Sequence, residues 1–225
     1  MSNFIFAGLF TEGTTDNRFL ESVVKRTLEN VAFDCTGDIE VQLEIIKIEK
    51  SNLSFIEQVL KASEKAKKDF GILILFVHTD SDQIDDTIAF NNKIIPAKEL
   101  INQQEENNYC KNIVAIVPIQ MTESWMIADK ELLKNEIGIN RSDSELGIHL
   151  NPERLNDPKS IISEIIRLSK EGNTKRKRDE GSHISGLYQI IGQKIDLKEL
   201  EKLSSYIKFK QSLIDKLKEL NFYHK

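Results

Sequence analysis

Acidic side chains follow three apolar runs of this chain, close to the point where each run ends. The acids are Glu12 after residues 3–11, Asp80 and Asp82 after residues 71–79, and Glu123 after residues 113–119. Carboxylates that are held together repel one another unless a cation neutralises them, and their hard oxygen atoms suit Mg²⁺ or Mn²⁺. If folding brings the three runs side by side, the four acids form a metal site.

The apolar runs themselves indicate how the acids are brought together. Runs of this length without alternation are typical of strands buried on both faces, as in a parallel sheet. The alternating segment at 39–48 predicts a more peripheral strand. Helical patterns lie between the strands through residue 136, so we predict an α/β fold with a mainly parallel four-stranded sheet flanked by helices. Ligands bind outside the carboxyl ends of such strands, where all four acids lie.

The helices of this part follow from apolar residues at helical spacing and from capping residues. Trp125 is expected in the core, and Asp129 is expected to be solvated near the middle of the last helix. The predicted spans are 14 or 15 to about 30, 51–68, 84–106 with a break or restart at Pro96, and 123–135.

Asp80 and Asp82 flank Ser81 in the sharpest local motif of the chain. In an extended segment, residues two apart point to the same side, so both carboxylates can face one ion. His78 shares this alternation. It either lines the site or is a buried histidine whose hydrogen bonds are satisfied.

Glu12 and Glu123 each have a second, structural interpretation. Glu12 can be a simple turn residue, although a carboxylate at the end of a buried strand needs a partner and Gly13 permits a sharp turn beside it. Glu123 is equally well explained as an acid at a helix start. Both remain candidates because of their position relative to Asp80 and Asp82.

Lys175, Arg176, Lys177 and Arg178 form the most basic run of the chain, and His183 follows it. The run is either a solvated loop or a phosphate clamp that holds the backbone of a nucleic acid near the carboxylates. His183 could add a general acid or a further phosphate contact. No Walker A loop, HExxH, GxSxG or zinc-ligand spacing occurs, which disfavours those mechanisms.

Composition sets the broad class of the protein. The 225 residues include 31 Lys and Arg against 36 Asp and Glu, a net charge of −5 that disfavours a uniformly basic nucleic-acid coat. The two cysteines form no disulfide scaffold. No apolar run approaches the ~20 residues of a membrane helix and no signal peptide opens the chain, so we expect a cytoplasmic protein without membrane contact.

The chain changes character after residue 136. Glycine and proline among polar residues at 137–157 predict a loop or lid, and helices are predicted at about 158–170, 184–191, 197–203 and 207–220. We therefore divide the chain into an α/β core at 1–136 and a loop plus all-helical extension at 137–225. The extension is expected to pack on the core or on a partner.

The same residues carry a resemblance to known proteins. Glu12-Gly13 after the first strand and Asp80-x-Asp82 after the third resemble a Toprim domain, the metal-binding fold of type IA and type II topoisomerases, bacterial primases and overcoming-lysogenisation-defect (OLD) nucleases. Segments 117–129, 154–159 and 190–217 resemble a narrower bacterial family of Toprim-like proteins labelled only as a domain of unknown function. Members of that family resemble partners of neighbouring ATPases in phage-defence or mobile-element loci.

The resemblance implies roles for individual residues. Glu12 matches the Toprim glutamate, a metal ligand or general acid/base, and Asp80 and Asp82 match the metal-binding aspartate pair. Glu123 matches an acid of the narrower family, without an assigned role. The third aspartate of an extended Asp-x-Asp-x-Asp motif is absent because position 84 is Ile, a departure from a full topoisomerase-type site.

The sequence thus predicts a Mg²⁺- or Mn²⁺-dependent nuclease or related phosphodiester-cleaving enzyme acting on DNA or RNA. Topoisomerase or primase activity needs further domains for which 225 residues leave little room. Two alternatives stay open. One is a regulatory or effector subunit of an ATPase complex, which keeps a vestigial site, and the other is a nucleotide phosphohydrolase. A co-encoded ATPase and a second copy of the chain are the expected protein partners.

Overall fold

The computed structural model describes residues 3–171 and 184–222. The basic run Lys175, Arg176, Lys177 and Arg178, together with His183, lies outside these residues, so its expected role in binding nucleic acid stays a prediction.

A four-stranded parallel sheet forms the centre of the molecule, as predicted. The strands are β1 (Asn3–Thr11), β2 (Ile39–Ile45), β3 (Ile74–His78) and β4 (Ile113–Ile116), in the spatial order β2-β1-β3-β4. Every residue of β3 and β4 is buried, which is why these strands read as unbroken apolar runs. The fold is α/β and Rossmann-like.

Helices surround the sheet, and most of them lie close to the spans predicted from the spacing of apolar residues. Their bounds are α1 (Asp16–Phe33), α2 (Phe55–Phe70), α3 (Thr87–Ala89), α4 (Ile95–Asn102), α5 (Thr122–Met126), α6 (Lys130–Ile137), α7 (Pro158–Ser169), α8 (Ile184–Lys194), α9 (Leu197–Leu200) and α10 (Ser204–Glu219). A π-helical turn, Phe90–Ile94, joins α3 to α4, and a 3₁₀ turn spans Pro152–Arg154. Among the described residues, no helix is both long and apolar enough to cross a membrane.

One prediction of helix bounds differs from the structure. The helix predicted at 123–135 is two helices, because Asp129 caps α6 by accepting a hydrogen bond from the backbone N–H of Leu132 at 3.0 Å. Asp129 is therefore a capping residue and does not lie in mid-helix. The restart predicted at Pro96 is confirmed, since α4 begins at Ile95 and Pro96 occupies its first turn, where no N–H is needed.

The helices after residue 137 complete one of the two apolar cores. One core lies between the sheet and α2 with α4, and includes Phe10 and Val77. The other joins β1 and α1 to α7, α8 and α10. Trp125 is fully buried there, as predicted, and donates its indole N–H to the Ser205 hydroxyl at 2.8 Å. The boundary proposed at 136/137 stays a prediction, but the extension packs on the sheet and helps to shape its carboxyl end.

Candidate functional site

The carboxyl ends of β1, β3 and β4, with the loops that follow them, form the carboxyl edge of the sheet. The backbone N–H of Glu12 donates to the carbonyl of His78 at 3.2 Å, which continues the pairing of β1 and β3 beyond the strands. The loops after β3 and β4 are joined in the same way, from Ser81 N–H to the Pro118 carbonyl at 3.1 Å. These bonds bring the residues that follow three separate strands to one edge.

His78 is the last residue of β3, and Asp80 follows two residues later with its side chain 28% exposed. The Asp80 Oδ1 atom accepts hydrogen bonds from the backbone N–H of Thr122 at 2.8 Å and from its hydroxyl at 3.2 Å. His78 is fully buried, and its Nε2 atom lies 3.3 Å from Asp80 Oδ1 and 3.0 Å from the Thr122 hydroxyl. Although burial opposes ionisation, the bonds from His78 and Thr122 hold the pKa of Asp80 below its ordinary 3.8.

Asp16, the first residue of α1, is a further member of the site that sequence reasoning missed. Its Oδ2 atom lies 4.0 Å from Nδ1 of His78, so the buried imidazole separates Asp16 from Asp80. Burial raises the pKa of Asp16 above 3.8. The charge of His78 lowers this pKa, and the negative charge of Asp80 raises it. The signal was present in the sequence: Asp16 opens the helix that leaves this same edge, four residues after Glu12.

The imidazole of His78 carries an unsatisfied atom. Nδ1 is buried and has no hydrogen-bond partner in the described part of the chain. Although burial disfavours the charged ring, Asp80 and Asp16 together raise the pKa of His78 above its ordinary 6.5. His78 therefore does not have the fully satisfied environment of an ordinary core histidine and belongs to the site.

Gly13 leaves room for the carboxylate of Asp16. A Cβ atom at Gly13 would lie 2.2 Å from Oδ2 of Asp16, closer than non-bonded atoms can approach. Glycine at position 13 therefore leaves the space that the Asp16 carboxylate occupies.

Glu12 is held by two lysines in different ways. Its carboxylate accepts a hydrogen bond from the Thr79 hydroxyl and lies 3.0 Å from the ammonium of Lys93, in the π-helical turn. Its backbone is fixed by Lys50, which donates to the carbonyls of Thr11 and Glu12 at 2.7 Å each. The side chain of Glu12 is 44% exposed and is accessible to solvent.

Glu123 is 3% exposed and lies in the first turn of α5, as predicted. The Tyr188 hydroxyl of α8 donates a hydrogen bond to its Oε1 atom, and the ammonium of Lys159 in α7 lies 3.9 Å away. Burial raises the pKa of Glu123 above its ordinary 4.5, although the bond from Tyr188 opposes this. Lys159 closes the segment 154–159 that carries part of the resemblance.

Asp82 does not have the extended conformation expected for it. Its φ of 54° lies in the left-handed region, and its N–H donates to the carbonyl of Gln120 at 2.9 Å. The two-residue alternation therefore fails after Asp80, and Asp82 stands at the exposed rim of the edge. It remains electrostatically linked to the site, because burial and the charge of Asp80 raise its pKa above 3.8.

The donor set suits a hard divalent cation, but its side chains are engaged with protein groups. Asp16 lies beside the unsatisfied Nδ1 of His78, Asp80 lies beside its Nε2, and Glu12 lies at the same edge; carboxylate oxygens are the ligands that Mg²⁺ or Mn²⁺ prefers. In residues 3–171 and 184–222, no three His, Cys, Asp or Glu side chains are gathered in a ready metal-binding arrangement. Lys93 and Thr79 engage Glu12, so a metal would have to displace them.

One comparison with known proteins gives a match. The family described as a domain of unknown function (DUF4276) matches residues 11–208, which include every acid of the site and both lysines that hold Glu12. No curated protein and no solved structure matches the chain significantly.

Proposed function

This chain belongs to the DUF4276 family, and we propose that it is a metal-dependent nuclease or related phosphodiester-cleaving enzyme with a Toprim-like site. The observation that carries this proposal is the placement of Asp16 and Asp80 on either side of the buried His78, at the carboxyl edge of a parallel sheet. Glu12 lies at the same edge and is open to solvent.

Holding two partly buried carboxylates near one another is costly unless positive charge offsets them. Among the described residues, the ion pairs of Asp16 and Asp80 are both with His78, which carries at most one charge. His78 can neutralise only one of these two carboxylates, and Lys50 and Lys159 contribute further positive charge near Asp16. A divalent cation would add positive charge directly at the carboxylates and, when bound, would activate water and stabilise the charge that develops on a phosphate.

The residues of the chain have distinct parts in this proposal. Asp80 is fixed by Thr122 and His78 and so keeps an ionised carboxylate in one orientation. Asp16 and Glu12 complete the ligand set, and Asp82 at the rim contributes charge. Glu123 keeps its proton to higher pH than an ordinary glutamate, the property that a general acid needs.

The substrate proposed is a nucleic acid, DNA or RNA. Lys175, Arg176, Lys177 and Arg178, with His183, are proposed to hold its phosphates. Within the described residues, Lys159 adds a cation beside Glu123. We place the protein in the cytoplasm, in a phage-defence or mobile-element setting, with a co-encoded ATPase or a second copy as partner.

One observation favours a second function. Lys93 already neutralises Glu12 without a metal, as a residual site in a regulatory subunit of an ATPase complex would do. Such a subunit would bind its ATPase without needing a cation.

Cleavage of plasmid, linear DNA and RNA with and without Mn²⁺ tests the proposal. Asp80→Asn should abolish cation-dependent cleavage, because it removes the fixed ionised ligand. Glu29→Gln on the exposed part of α1 is the matched control and should cleave like the wild type. Equal cleavage by the wild type and Asp80→Asn would refute the site. If the wild type and both variants cleave none of the substrates and the protein binds tightly to a co-encoded ATPase, the regulatory subunit would be favoured.

A further inference from the structure

Lys93 reaches the site from an unusual piece of backbone. It lies in the π-helical turn Phe90–Ile94, and such turns are rare and often occur at functional sites. Its ammonium donates to Oε2 of Glu12 at 3.0 Å and to the Thr79 hydroxyl at 2.8 Å. The same ammonium lies 5.4 Å from the ring centre of Phe55, which gives it an apolar and weakly attractive support.

Lys50 provides a contrast within the same site. It contacts the backbone carbonyls of Thr11 and Glu12, and its ammonium lies 5.0 Å from the ring centre of Phe10. Lys50 thus fixes the loop and leaves the Glu12 carboxylate free, whereas Lys93 takes up the carboxylate itself. The two lysines carry the same charge and both contact Glu12, but they engage different atoms of it.

We propose that Lys93 is an internal competitor of the metal: its ammonium holds Glu12 in the metal-free protein, and a divalent cation must displace it to bind. This inference rests on the proposed function, because it concerns the same carboxylate. It adds a regulatory property, namely that the site is occupied by the protein's own cation until the metal concentration is high enough.

The strength of the ion pair suits such a role. The side chains of Lys93 and Glu12 are 28% and 44% exposed, and pairs of this kind are weak. A cation that also gains Asp16 and Asp80 can therefore outcompete the ammonium. Removing Lys93 should tighten binding by about threefold to tenfold, the range expected when a weak ion pair and one like charge are lost.

The test is calorimetric titration of Mn²⁺ into the metal-free full chain. Lys93→Met is compared with the wild type and with two controls that remove the same charge. The first control is Lys98→Met. Lys98 lies in α4, five residues after Lys93, and has no contact with Glu12 among the described residues. Lys50→Met removes the charge that touches only backbone at the site. Lys93→Gln, with the Mn²⁺-induced shift in Tm as readout, repeats the test in a second variant.

Tighter Mn²⁺ binding in Lys93→Met, with Lys98→Met like the wild type and Lys50→Met equal or weaker, would support competition. Unchanged or weaker binding in Lys93→Met would overturn it while leaving the metal site standing. Equal tightening in Lys50→Met and Lys93→Met would also overturn it, because net charge alone would then explain the effect. No binding in the wild type and in Lys93→Met would overturn the proposed metal site as well.

Discussion

The hydroxyl of Tyr188 donates a hydrogen bond to the buried carboxylate of Glu123. Tyr188 lies on α8, more than sixty residues beyond the last strand of the sheet, whereas Glu123 opens the helix that follows that strand. The helical extension therefore reaches the carboxyl edge, and the polar groups around Glu123 come from both parts of the chain. The stability of this contact should depend on the charge of Glu123.

Tyr188→Phe should lower the free energy of unfolding by about 1–3 kcal/mol, because it leaves a buried carboxylate without its donor. The folded-state pKa of Glu123 is already above 4.5, so Glu123 stabilises the fold at low pH and loses that stabilisation as pH rises through its folded pKa. Removing the hydroxyl raises this pKa further. The penalty should therefore be larger at pH 8 than at pH 4, as measured by urea unfolding.

Tyr206→Phe is the control for this effect. Tyr206 is also buried, and its hydroxyl shares a 2.8 Å hydrogen bond with Thr27, a partner that does not ionise. The penalty of this change should be about 0.5–1.5 kcal/mol and the same at both pH values. A penalty for Tyr188→Phe that is equally flat would show that Glu123 does not change its charge there.

Asp16→Asn should stabilise the metal-free protein near neutral pH. Because the folded-state pKa of Asp16 is raised, Asp16 adds to the free energy of unfolding below pH 3.8. This stabilisation is lost as the pH rises through the folded-state pKa. Asparagine removes this loss, so the gain should appear near pH 7 and fade toward pH 3.8. Thermal unfolding across pH measures it, and Mn²⁺ affinity should fall by at least about tenfold if Asp16 is the ligand that we propose.

An acid in the first turn of a helix normally stabilises it by about 0.3–1 kcal/mol, so ordinary helix electrostatics predicts the opposite sign for Asp16→Asn. Glu57→Gln tests that ordinary case, because Glu57 lies in the first turn of α2 and closes a capping box with Ser54. It should destabilise the protein. Destabilisation by both changes would remove the argument that Asp16 is held at a cost for function.

The strands of the sheet and the acids that follow them could be predicted because both depend on local sequence. The bounds expected for β1, 3–11, are those observed, since an apolar run between turn residues carries this information by itself. The other strands are shorter than expected. The run at 71–79 yields only Ile74–His78, because Gly71 ends α2 in the left-handed conformation and the next two residues lead into the strand.

The contacts that define the site were not predictable in the same way. Asp82 was expected to alternate with Asp80, but backbone bonds to the loop after β4 hold it at φ 54°. Lys93 and Tyr188 contact acids that are distant in sequence, and periodicity does not reveal which side chains meet across elements. Asp16 is different, because its place in the first turn of α1 was open to inference from the sequence.

Gly192→Ala should destabilise the protein by about 1–3 kcal/mol through overpacking. A Cβ at Gly192 would lie 2.5 Å from the carbonyl oxygen of Phe19, so α8 could no longer approach α1 as closely. Gly186→Ala on the same helix meets open space and should stabilise the helix, by up to about 1 kcal/mol. Urea unfolding distinguishes the two, and equal effects would show that the α1–α8 contact is looser than described.

Gly13→Ala should weaken Mn²⁺ binding while leaving the free energy of unfolding almost unchanged. The atom that a Cβ would meet is the end of the Asp16 side chain, which can turn away without moving backbone. The carboxylate would then leave its place beside His78. We expect at least about tenfold weaker Mn²⁺ binding by calorimetry, comparable to loss of the ligand itself.

A double-mutant cycle shows whether Gly13 acts through Asp16. In the Asp16→Asn background, Gly13→Ala should weaken Mn²⁺ binding no further, because the ligand whose position it protects is already absent. Additive losses would mean that Gly13 supports the site by another route, such as the backbone of the turn after β1. Non-additive losses, with Tm unchanged by Gly13→Ala alone, would identify the glycine as the residue that leaves room for a metal ligand.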